Sequence, residues 1–134
     1  MKRRPTVLCA LFLALVTAGP AETLELPSRV GDAVGGGEFA DLISSLERED
    51  RERAIYNEIV GNGNVPNFLR QMVEIPITQG ATSGLFHAIP DFLAVGSDDD
   101  YFLMPMTPIL AQWIADETGT IMPTPRMSDA MVPA

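Results

Sequence analysis

The sequence predicts a small α+β domain with an N-terminal helix, a short and mostly antiparallel sheet, and a C-terminal helix, on three observations. Apolar residues recur at helical spacing near each end of the chain. Short β-branched and apolar runs, bounded by Gly, Pro and Asp clusters, lie between them. The two patterns do not alternate, as a doubly wound nucleotide-binding sheet requires.

The chain opens with a leader. Lys2, Arg3 and Arg4 form a basic start, and residues 6–18 (TVLCALFLALVTA) are apolar and uncharged. Gly19-Pro20-Ala21 then supplies small residues at −3 and −1 for cleavage before Glu22. A membrane-spanning helix wants about 20 apolar residues, whereas this run has 13 and ends in Gly-Pro. Residues 1–21 therefore read as a secretory signal peptide. The chain is expected to be secreted or periplasmic, with no membrane span after cleavage. Cys9, the only cysteine, sits inside the leader, so the remainder forms neither a disulfide nor a thiolate metal site. Cleavage takes the net charge from −9 to −12, because 18 acids remain against six arginines and no lysine. That acidity keeps an exported chain soluble and argues against nucleic acid or anionic lipid as a partner.

Residues 22–37, with Pro27, Gly31 and the Gly35-Gly36-Gly37 run, read as a flexible linker. A single domain is expected over residues 38–134. It starts with a helix in which Phe39, Leu42, Ile43 and Leu46 share a face that Ala54, Ile55 and Ile59 extend. Residues 47–53 (EREDRER) alternate in sign, as a solvated helix face does, and Gly61 supplies the stop. A short helix follows over residues 67–72 (NFLRQM). Residues 73–78 (VEIPIT) read as an edge strand, because Pro76 cannot donate to a ladder. Residues 79–84 read as a loop, 85–89 (LFHAI) as a second strand, and 92–95 (FLAV) as a third, buried on both faces. Residues 96–100 (GSDDD) turn the chain into a last strand over 101–106 (YFLMPM). Thr107-Pro108 then starts a helix by N-cap and N1 preference. Ile109, Trp113 and Ile114 give its apolar face, widened by Leu110 and Ala111, and Gly119 closes it. Residues 121–127 read as extended, with a further helix beginning at Ser128.

Chemistry-bearing residues are few. Asp98-Asp99-Asp100 places three carboxylates on a turn, the kind of oxygen set that holds a hard cation such as Ca²⁺, with Asp98 and Asp100 the metal candidates. The EF-hand pattern fails, because Phe102 and Ile109 stand where its fifth and twelfth ligands belong. The competing reading is an Asx turn in which carboxylates cap local N–H groups. His87, the only histidine, is the sole candidate for general-base catalysis, with Ser83 or Ser97 as nucleophile and Asp91 as orienting group. No G-x-S-x-G motif supports it, and a lone strand histidine is more often structural. Gly61-Asn62-Gly63 lacks both the third glycine and the preceding strand of a dinucleotide loop. No cofactor is expected.

Three stretches, residues 65–73 (VPNFLRQMV), 90–119 with its PDFLAVGSDDDYFLMPMTP opening, and 123–130 (PTPRMSDA), resemble the N-terminal half of a family of uncharacterised secreted bacterial proteins. The resemblance implies no particular activity. It implies that relatives continue past this point into a half rich in His, Asp, Tyr and Trp, so that this chain is a shortened member or a fragment. The expected function is an exported, non-catalytic or incomplete binding or accessory module. The alternatives are part of a cell-envelope hydrolase whose catalytic half lies elsewhere, and a protein that binds a partner through the stripe from Phe39 to Ile59.

Overall fold

The computed structural model of the protein describes residues 22–132; the leader read over residues 1–21 lies outside that range. The expected α+β class holds. Helices α1 (Gly36–Ser44), α2 (Arg48–Tyr56) and α3 (Asn67–Arg70) precede strands β1 (Val73–Gln79), β2 (Thr82–Ala88), β3 (Ala94–Gly96) and β4 (Tyr101–Leu103). Helices α4 (Pro108–Glu117) and α5 (Pro125–Met131) follow. No helix among the described residues is long and apolar enough to cross a membrane.

The N-terminal stripe is helical but not one helix. Ser45 caps α1, and α2 restarts at Arg48 with Glu49 and Asp50 in its first turn, where carboxylates suit the positive end of the helix dipole. The break turns both halves of the stripe into the core. Phe39, Ile43, Ile55 and Ile59 are buried together with Val65, Leu69, Val95, Met104, Leu110 and Ile114. Residues Asn57–Gly61 widen into a π-helical turn, closed by the Asn62 N–H on the Asn57 carbonyl.

Residues 22–37 are not a detached linker. Thr23 forms an antiparallel bridge with Gln71, with the Met72 N–H on the Glu22 carbonyl and the Leu24 N–H on the Arg70 carbonyl. Leu24 is buried. The glycine run is a contact surface, because a Cβ on Gly36 would collide with the β4 backbone at Tyr101 and Phe102. Composition alone suggested flexibility; close approach of two backbones is the other use of glycine, and it applies here.

The sheet also differs from expectation. Two separate two-stranded sheets replace one: β1–β2 and β3–β4, both antiparallel. β2 begins at Thr82 rather than Leu85, since Gly80 (φ +59°) and Ala81 alone make the turn and pair Gln79 with Thr82. Phe92 is outside any strand and 79% exposed, so the third strand is only Ala94–Gly96, which is buried. The α4 face is rotated from the expected one: Leu110, Ile114 and Ala115 are buried, while Ile109 and Trp113 face solvent. Gly119 (φ +65°) ends that helix as expected. The last helix starts at Pro125, capped by Thr124, which repeats the Thr-Pro signature of α4.

Candidate functional site

The Asp98–Asp100 turn connects β3 to β4 and lies over the N-termini of two helices. Asp100 Oδ1 accepts from the Gly37 N–H at 3.0 Å, and the Asp100 carbonyl accepts from Gly36 N–H at 3.0 Å. Asp98 accepts from the Phe68 N–H and from Asn67 Nδ2, both at 3.2 Å. The residues that precede these helices, Gly35 and Pro66, bring no side-chain cap of their own. Orphan N–H groups at helix starts need acceptors, and the turn supplies them from about 30 and 63 residues away. Ser97 Oγ accepts from the Asp100 N–H, and Gly96 (φ +128°) lets the turn close on itself. Phe68 packs edge-on against Tyr101 at 5.2 Å and seals α3 to β4. The two candidate ligands thus point at different helices, and no group of three or more His, Cys, Asp or Glu converges on a common point among the described residues.

His87 sits on β2 opposite Glu74, with Nε2 3.7 Å from Glu74 Oε1 and Nδ1 3.8 Å from Glu22 Oε2. Its ring lies between the β1–β2 hairpin and the N-terminal strap, the stretch 22–24 that runs along residues 70–72. The groups proposed to act with it are elsewhere. Ser83 is four residues along the same strand, about 13 Å at the rise of a β-strand, and pairs with Thr78. Ser97 is held in the acidic turn, and Asp91 accepts from the adjacent Phe92 N–H. No hydrogen bond joins His87 to Ser83, Ser97 or Asp91 among the described residues, so no nucleophile–base–orienter chain is assembled.

A fully buried and well-connected polar side chain is one that the sequence did not mark out. Asn64 is completely buried. Its Oδ1 accepts from Arg29 Nε at 2.8 Å, and its Nδ2 donates to the Val34 carbonyl at 3.0 Å and to Glu58 Oε2 at 2.9 Å. The other Glu58 oxygen accepts from Asn62. Arg70 does comparable work with its guanidinium, which donates to the carbonyls of Leu26, Pro27, Gly63 and Val65. Partial burial lowers its pKa below that of an ordinary arginine. Both side chains fasten residues 26–34 to the helical core. The sequence signal was only the Asn-Gly-Asn turn, in which the buried partner of Arg29 looks like any turn asparagine.

The apolar stripe from Phe39 to Ile59, offered as a partner surface, is occupied by the chain's own core; of its members only Leu42 and Leu46 are exposed. Exposed apolar side chains concentrate instead in the C-terminal half: Leu85, Phe92, Ile109, Trp113, Ile121 and Val132. Ile109 and Trp113 stand one turn apart on α4 at 63% and 57% exposure, a paired apolar face left open among the described residues. Comparison of the sequence with protein-family models and curated proteins, and of the chain with solved structures, gives no match.

Proposed function

We propose that the protein is an exported, non-catalytic binding or accessory module of a bacterial cell envelope. The observation that carries this reading is the Ile109–Trp113 face, two large apolar side chains one turn apart on a helix whose other side is firmly in the core. Contiguous exposed apolar surface is what a protein–protein contact covers, and Trp is enriched among the residues that dominate binding. Asp98 and Asp100 are engaged on helix N-termini and Ser97 within its turn, while His87 stands near Glu74 and Glu22 with no hydrogen bond to a nucleophile among the described residues. The leader, the acidity and the resemblance to secreted bacterial proteins support export.

Cell fractionation tests the reading. The wild-type chain is expected in the envelope or medium fraction. A variant carrying Ile109→Asp and Trp113→Ala is expected to lose envelope retention while keeping its melting temperature, since neither side chain is in the core. Turnover of an ester, peptide or glycoside substrate that His87→Ala lowers a thousandfold, with the fold intact, would overturn the non-catalytic assignment.

A further inference from the structure

The two edges of the β1–β2 hairpin are treated in opposite ways. Along an antiparallel strand, alternate residues direct their N–H and C=O toward the partner strand and away from it. On β1 three observations fix which residues face outward. The Thr78 carbonyl accepts from Arg126 of α5 at 2.7 Å, the Met72 N–H just before β1 donates to Glu22, and Pro76 has no N–H to offer. This edge is covered by a helix side chain, by the N-terminal strap and by a proline, which are recognised ways of stopping a strand from pairing further. The residues opposite Thr78, Pro76 and Glu74 on β2 are Ser83, Leu85 and His87, so these present their N–H and C=O groups outward. Among the described residues their backbones make no hydrogen bond beyond the hairpin. Nor does β2 carry a proline or a formal charge; residues 75–90 contain no Asp, Glu, Lys or Arg.

We propose that β2 is a self-pairing edge, which joins β2 of a second copy of this chain about a two-fold axis at Leu85. In that antiparallel register Leu85 faces Leu85 and exchanges both hydrogen bonds with it, and Ser83 faces His87 of the other copy. Gly84 faces the other copy's Phe86, and the space where a Cβ of Gly84 would stand has nothing within 4 Å. The Phe86 ring, only half-buried in the single chain, fills that space, an aromatic over a strand glycine. Leu85, 62% exposed, covers its own symmetry mate. Charge favours this occupant and this place. Two chains of net charge −9 repel over most of their surfaces, and β2, whose own side chains include no carboxylate, is where they approach with least repulsion. The resulting sheet, β1–β2–β2–β1, ends on both sides at a β1 edge that is already blocked, so pairing closes at two copies. An isolated two-stranded hairpin is marginal in water, and four strands relieve that. This inference does not depend on export or on the Ile109–Trp113 face.

Sedimentation velocity of the full expressed chain, in whichever processed form the cell delivers, reads the outcome. The wild type is expected to pass from monomer to dimer within roughly 10 µM to 1 mM, the range of a small interface. Leu85→Pro removes the outward N–H and leaves the β1 ladder untouched, as Pro76 does on the other strand; it is expected to abolish the dimer with the circular dichroism preserved. Leu85→Glu and Leu85→Lys guard against a proline that simply unfolds the hairpin. Each alone is expected to weaken dimerisation at least tenfold, because like charges meet at the axis, and an equimolar mixture is expected to recover a mixed dimer. A wild-type chain that stays monomeric overturns the proposal, whatever else the edge then binds. So does a dimer insensitive to all three substitutions, or a charge-swapped pair that fails to rescue it.

Discussion

Replacing Asn64 with Ala removes the side chain that joins three separate segments. Asn64 is fully buried and makes three side-chain hydrogen bonds, two of them to the charged groups Arg29 and Glu58. A bond to a charged group contributes about 1.5–3 kcal/mol and a neutral one about 1 kcal/mol. The simple total, about 4–7 kcal/mol, is an upper bound. Arg29, Val34 and Glu58 are only partly buried, and water entering the vacated volume re-solvates part of what they lose. The expected loss is about 3–4 kcal/mol, a large share of the 5–15 kcal/mol that holds an ordinary domain together. That corresponds to a fall in melting temperature on the order of 15 °C. Urea unfolding followed by Trp113 fluorescence and by far-ultraviolet circular dichroism measures it. Arg29→Ala in the same background should add much less than it does alone, because its main partner is already gone. A loss under 1 kcal/mol, or full additivity of the two substitutions, would refute the view that Asn64 is the fastening point.

Three further outcomes are expected. Asp98→Ala and Asp100→Ala should each cost about 1 kcal/mol, the ordinary worth of an N-cap, and millimolar Ca²⁺ should raise the melting temperature no more than Mg²⁺ at equal ionic strength. Burial, and then the Glu117 carboxylate, raise the Tyr56 pKa above its usual value of 10.0. The folded state therefore keeps that proton longer than the unfolded chain does. Its contribution is complete below pH 10, is lost as pH rises through the folded pKa, and should be absent in Tyr56→Phe, as urea titrations across pH 9–11 would register. Intact mass of the exported protein should place its N-terminus at Glu22, or at Gly19 if cleavage falls after Ala18; a cell-bound form retaining Met1 contradicts this.

The parts of the fold that obey local rules were legible. Thr107-Pro108 and Gly119 bound α4 because capping and left-handed backbone are properties of a few neighbouring residues. Pro76 marked an edge for the same reason. What the sequence hid is non-local. Spacing identified an apolar stripe on α4 but not which of two overlapping faces, Leu110–Ile114 or Ile109–Trp113, would meet the core. Gly35-Gly36-Gly37 looks identical whether the glycines give flexibility or admit a neighbouring backbone. The acidic turn was recognised as a place where carboxylates matter. That Asp98 and Asp100 serve helices far away in the chain depends on packing that no spacing encodes.

The trans-capping of α1 also orders events in time. At nine residues α1 is shorter than the roughly 12–15 that an isolated helix needs in water, and its N–H acceptors lie at Asp100. Bringing Gly37 and Asp100 together closes a 63-residue loop, an entropic cost of about 4 kcal/mol by the logarithmic rule. Residues 36–44 therefore lack these acceptors until Asp100 is in place, so formation of the first helix is coupled to the turn between β3 and β4.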